Sequence, residues 1–358
     1  MWYKRISADD IGPKGPTYLI VFFAFQIAAG HVALSILALT MLLAKSMKKR
    51  PLLINICVTW ILAAVCFSLL FYAGQYRGPE PNSDLCIGQA SLIGAIPILT
   101  CTATFIVACH LWHVYDDPEV HEYTSRHKRL TTFSQLVIPY IAFGIFVAIG
   151  AAISVQHPDK VDREQRYFYC SLDWNSLTYA VDFLSAILCL MAAALEAHIV
   201  SVGFRRWRLS RRAGVPTDQT VFLHIRIFVF TLYLLGSTMV NLVSNWVEIS
   251  VVPDLLLASV GAAFFVIFAT QKDVISAWRF WRRPRRAHVL HVSSPTTNPL
   301  VPILRAKGET RDLMTTDRSS KNTYSSSMLM KDYYETKARG VEIIGRPEDA
   351  FRERPGEV

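Results

Sequence analysis

The chain has 358 residues, 52 % of them apolar and 18 % charged, with a formal net charge of +9 and a mean hydropathy of +0.29. Soluble chains run nearer a quarter charged, and here the apolar residues come in long blocks with most of the charge between or after them. A cytosolic enzyme and a collagen-like, disulfide-dense or wholly disordered chain are excluded. The basic residues flank the apolar blocks, so they read as membrane-topology signals and no nucleic-acid partner is expected.

A hydrocarbon core about 30 Å thick takes roughly 20 apolar residues as a helix. Seven stretches meet or approach that length, in chain order 17–44, 52–74, 86–114, 132–154, 177–203, 221–243 and 253–270. The runs are continuous and do not alternate, which favours helices over a barrel. The predicted fold is therefore an all-α membrane protein, a seven-transmembrane helix bundle. Residues 1–16 form a short leading segment without an apolar core, so no cleavable signal is expected. After the seventh span, residues 271–283 place Val274, Trp278 and Trp281 on one helical stripe with Arg279, Arg282 and Arg283 mostly off it. That pattern predicts an amphipathic eighth helix lying in the headgroup plane. Residues 284–358 are rich in Pro, Ser, Thr and charge and predict a disordered tail. Its Thr315, Thr316, Ser319, Ser320, Thr323 and 325–327 hydroxyls could take phosphates and recruit a phosphorylation-dependent binder.

Lys and Arg counts near the span ends set the orientation. One side carries 18, including Lys48, Lys49, Arg50, Arg205, Arg206, Arg211 and Arg212, against 7 on the other. The amino terminus is expected outside and the carboxyl terminus in the cytosol. Of seven cysteines, five fall inside spans, where each reads as a small apolar residue. Only Cys86, opening the third span, and Cys170, late in the loop before the fifth, face the oxidising side, so a bond between them is expected.

Seven spans with that cysteine pair resemble a G-protein-coupled receptor. Short patches are more specifically similar to orphan seven-helix receptors of mushroom-forming (basidiomycete) fungi: Arg50-Pro51 with Asn55 and Trp60, then Tyr72, Gly74 and Gln75. They continue with Leu85-Cys86 before Gln89-Ala90, and end with Phe268-Ala-Thr-Gln271-Lys-Asp273 and Trp278. The resemblance implies a plasma-membrane signalling protein that binds a small extracellular ligand and couples to a heterotrimeric G protein. The third span, however, ends His110-Leu-Trp-His113-Val-Tyr-Asp116-Asp117 and lacks the Asp/Glu-Arg-Tyr of rhodopsin-like receptors. The sixth and seventh lack Cys-Trp-x-Pro and Asn-Pro-x-x-Tyr.

Ionisable groups inside spans are costly and therefore candidate functional residues. Asp182, a turn and a half into the fifth span, and Asp254, starting the seventh, would make the bundle mouth acidic and suit a cationic or hydrogen-bond-donating ligand. The plainer reading of Asp254 is a helix cap or a hydrated interfacial group. Gln89, Trp174 and Tyr179 could join that pocket. Deeper, Glu196 lies about 10 Å and Arg226 about 7.5 Å from the cytosolic face at 1.5 Å per residue. Their matched depths suit an ion pair that holds the resting state closed; the alternatives are that Arg226 snorkels to the surface or that His198 or His224 is the partner. In a receptor, His113, Asp116, Asp117, Arg205 and Arg206 would face the transducer. The spacing of His110, His113 and Asp117 is a weak metal pattern, and neither a metal nor a cofactor is expected. Catalysis is not expected either: His31, His110, His198 and His224 are scattered over four helices, and residues 253–270 hold no lysine for a retinal. The alternative function is a seven-helix transporter or lipid-handling protein, which the clustering of charge at the two ends disfavours.

Overall fold

The computed structural model describes residues 12–43, 51–76, 81–116, 125–163, 166–212, 220–244 and 251–278. Asp117, the basic residues 279–283 and the tail 284–358 lie outside the described residues. By its contacts the chain divides into Met1–Ala287 and His288–Val358, and the described residues all belong to the first unit.

Six helices among the described residues are long and apolar enough to cross a membrane, and the architecture is that of an all-α multi-pass membrane protein. They are α1 (Gly15–Leu43), α3 (Ser83–Asp116), α4 (Ser125–Gln156), α5 (Asn175–Arg212), α6 (Thr220–Ser244) and α7 (Val252–Ala269). Between α1 and α3 lies α2 (Pro51–Phe67), which at 17 residues is shorter than the 52–74 span read from the sequence. The helix breaks at Ser68, resumes for one turn over Leu69–Tyr72, and ends at Gly74. There Gly74 adopts φ 70°, Gly74 N donates to Phe71 O and Gln75 N donates to Leu70 O. That is the paired closure of a left-handed helix cap, which a side-chain-bearing residue enters at a cost. At 1.5 Å per residue α2 alone covers about 25 Å. A short helix Lys272–Trp278 (α8) follows α7.

The bundle is organised around α3. Two thirds of its apolar window (67 %) is buried against 11 % for α4, so α3 is central and α4 peripheral. The exposed α4 side chains, Ile138, Ile141, Ile145 and Ile149, suit contact with lipid. Asn55 ties α2 to α4, donating to Leu136 O (3.4 Å) and accepting from the Tyr140 hydroxyl (2.9 Å). Where α1, α2 and α7 meet, small residues let the backbones approach. A Cβ on Gly30 would sit 2.4 Å from Ala64 Cβ, and Gly261 lies on the same contact. The α1 backbone widens into a π-helix over Phe25–Ala33, the segment that carries Gly30. Within it, His31 bonds Gln26 O (2.7 Å) and the Tyr72 hydroxyl (2.6 Å), so it is engaged on both ring nitrogens.

One end of the bundle is closed by the segment between α4 and α5. Its strands β1 (Val161–Asp162) and β2 (Ser171–Leu172) pair antiparallel, with Val161 opposite Leu172. The intervening chain dips inward: Phe168, Tyr169 and Cys170 are buried, and Phe168 stacks on Phe22 of α1 at 4.7 Å. The expected disulfide between Cys86 and Cys170 is present. We call this the disulfide end. The opposite one, where α5 runs out as Arg205, Arg206 and Arg208, is the arginine end.

Candidate functional site at the disulfide end

Beneath the inward-dipping loop lies a cavity of about 130 Å³, lined from α2 through α7 and by the loop itself. Its polar lining includes Ser91, Arg166, Asp173, Trp174, Asp182 and Asn241. The loop reaches this position through three anchors besides the disulfide. Gln89, fully buried on α3, donates to Cys66 O (3.1 Å) and accepts from Cys170 N (3.1 Å), so it staples α2 and the loop to α3. Arg163 donates to Gln75 O, Tyr76 O and Tyr167 O, and burial lowers its guanidinium from the usual arginine range. Arg166 Nη1 meets Asp254 Oδ1 at 2.9 Å.

Asp254 belongs to a network. It is 3 % exposed, lies in the first turn of α7 past the N-cap residue Val251, and accepts from Arg166 and from the Tyr169 hydroxyl (2.7 Å). The plain reading of Asp254 as a cap or hydrated group is thereby corrected: a loop arginine, far off in sequence, neutralises it. Burial, reinforced by the Asp254 carboxylate, holds the Tyr169 phenol well above its ordinary range, so Tyr169 remains a neutral donor. Arg166 Nη2 also donates to Asn241 Oδ1 (3.3 Å), and Asn241 Nδ2 donates to Asp182 Oδ1 (3.2 Å). Loop, α5, α6 and α7 are thus joined by a single line of polar contacts.

Of the five residues read from the sequence as ligand-binding, Asp182 and Trp174 line the cavity. Asp254 lies behind Arg166 and Tyr169, Gln89 is spent on the staple, and Tyr179 is half-buried outside the lining. Trp174 stacks with His157 (5.2 Å) and carries the Lys160 ammonium 4.8 Å from its ring centroid. Sequence reading missed Arg166 and Asn241, because nothing local marks a loop arginine as the partner of a carboxylate 88 residues away.

At the arginine end the expected Glu196–Arg226 pair does not form. Arg226 turns to the end of α7, donating to Ile267 O, Thr270 Oγ1 (2.6 Å) and Thr270 O (3.1 Å). The last carbonyls of a helix lack partners within it and carry partial negative charge, so they attract a multi-donor guanidinium. Glu196 stays buried (2 % exposed) beside Thr231, with neither carboxyl oxygen hydrogen-bonded. His113, Arg205 and Arg206 are exposed at this end, and Asp116 closes α3. His110 bonds Gln135 of α4 (3.1 Å), and no group of three or more potential metal ligands occurs among the described residues. A second tie packs α8 down: Trp278 Nε1 donates to Thr40 Oγ1 of α1 (2.9 Å), and Val274 is fully buried.

No protein-family model matches the chain, and no curated protein matches it.

Proposed function

We propose that the protein is a seven-span receptor of the plasma membrane. In this reading the disulfide end faces outward, where it takes a small ligand, and the arginine end faces the cytosol, where it engages a heterotrimeric G protein. α2 with its added turn is the seventh crossing, and α8 lies at the inner headgroup layer. One observation carries the reading most directly. The cavity sits under a disulfide-pinned loop that contacts five of the long helices, while α6 and α7 are latched at the far end by a single arginine. A ligand that shifts α6 or α7 at the cavity works against that latch, and α6 can then swing away from α7 to open a surface among Arg205, Arg206 and His113.

The test is guanine-nucleotide exchange on a panel of fungal G-protein α subunits in membranes carrying the full chain. Arg226→Ala is expected to raise basal exchange several-fold over wild type, on the scale of the 1–3 kcal/mol typical of coupling between sites. Exchange by neither protein, with equal surface expression, rejects the receptor reading and favours a transporter or lipid-handling protein.

A further inference from the structure

α4 and α5 each pack along the central α3, yet among the described residues they hardly touch each other. Between them α3 comes to the surface: Gly94 is exposed, and a Cβ on it would meet nothing within 4 Å. Gly94 lines the cavity, with Pro97 further along α3, Phe146 on α4 and Val181 on α5. The gap is therefore a side mouth of the cavity. One turn nearer the loop α4 closes on α3, where a Cβ on Gly150 would lie 3.5 Å from Ser91 Cα. Gly94 sits about 16 Å along α3 from Ser83 at 1.5 Å per residue. In a core about 30 Å thick, the mouth thus faces hydrocarbon. Pro97 offers no N–H to the Ile93 carbonyl, so an acceptor that a regular helix would close stays open beside the mouth. The charged groups of the lining are already engaged, Arg166 with Asp254 and Asn241, and Asp182 with Asn241. A neutral hydroxyl can use the carbonyl without competing for any of them. The volume of about 130 Å³ is close to the ~150 Å³ that encloses benzene, enough for such a head and its first few methylenes.

We propose that the cavity takes a single-chain lipid alcohol that enters sideways from the bilayer between α4 and α5. Its hydroxyl donates to the Ile93 carbonyl, and its chain lies over Gly94 against Phe146 and Val181, with the far end left in the surrounding lipid. Gly94 has a defined part: without a side chain it lets the hydrocarbon cross α3. The inference names the ligand class of the receptor site and rests on that reading for its role in signalling.

The probe is hexadecanol carrying a photoreactive diazirine in mid-chain, irradiated with the purified full chain in phospholipid nanodiscs, and adducts are mapped by peptide mass spectrometry. Labelling is expected to saturate and to fall around Gly94, Phe146 and Val181. Excess plain hexadecanol should lower it about tenfold or more, and hexadecanoate, with the same chain and a charged head, should not. Gly94→Leu should lower it as far, because the added side chain grows into open space and fills the gap. Gly144→Leu, equally open but on the outward face of α4, should leave labelling unchanged. Adducts spread over the lipid-facing surface without saturation, displacement by hexadecanoate as readily as by hexadecanol, or labelling that survives Gly94→Leu overturns the proposal. The adduct map and the competition on wild type stand even where Gly94→Leu fails to fold. Saturable labelling at the mouth without nucleotide exchange by wild type or Arg226→Ala upholds the ligand class and removes the receptor reading. Exchange by Arg226→Ala with unsaturable labelling does the reverse.

Discussion

Replacing Arg166 with Met is expected to lower stability by about 3–5 kcal/mol, the usual cost of stripping the partner from a buried charge. Asp254 is 3 % exposed and would keep only the Tyr169 hydroxyl. Arg166 is itself 19 % exposed at its side chain, so part of its charge already meets water and the lower half of that range applies best. For a bundle of this size the midpoint should fall by roughly 10 °C. The companion variant, Arg166→Met with Asp254→Leu, removes both charges and should recover part of the loss, because no unpaired buried charge remains although the Tyr169 hydroxyl loses its acceptor. Thermal unfolding of the two variants beside wild type checks this. A double variant no more stable than Arg166→Met would show that the ion pair is not what joins loop to α7.

The second large effect belongs to the disulfide. Changing Cys86 to Ser should cost about 2–4 kcal/mol and make the midpoint insensitive to reductant, whereas wild type should lose a similar amount on reduction. The bond spans 84 residues, and the chain-entropy argument alone gives roughly 4.6 kcal/mol for a loop that long. Phe168 stacked on Phe22 and Cys170 N bonded to Gln89 hold the loop independently of the bond, so the lower figure is the better guide. A reductant-sensitive Cys86→Ser variant would contradict the assignment, since Cys57, Cys66, Cys101, Cys109 and Cys189 form no disulfide, Cys189 Sγ only donating a hydrogen bond to Cys101 Sγ.

The apolar helices and the cysteine pair were legible because each depends on composition or on compartment. A run of apolar residues is long enough to cross a bilayer or it is not, and counting Lys and Arg left only two cysteines expected on the oxidising side. The shortening of α2 was not legible. Residues 52–74 read as one predominantly apolar run, and the break at Ser68 shows itself in backbone geometry and in the glycine-closed turn at Gly74. Asp182 and Trp174 could be placed at the cavity because their depth follows from counting along one helix. Arg166, Asn241 and the turn of Arg226 toward α7 depend instead on which elements are neighbours in space, and a single sequence carries no record of that. The Glu196–Arg226 expectation used depth alone. Equal depth is necessary for a pair, but the free carbonyls ending α7 offered Arg226 more acceptors. Several residues behind the fungal-receptor resemblance turn out to hold the scaffold: Asn55 joins α2 to α4, Gly74 closes a turn, Gln89 staples the loop, and Trp278 ties α8 to α1.

The proposed receptor has its disulfide end outside the cell and its arginine end in the cytosol, and cysteine labelling distinguishes the two faces. Lys14→Cys and Arg205→Cys each place a thiol on an exposed position at one end of the bundle. With a membrane-impermeant maleimide on intact spheroplasts, Lys14→Cys is expected to be labelled at once and Arg205→Cys only after permeabilisation. Labelling of Arg205→Cys from outside, or of both positions alike, would contradict it.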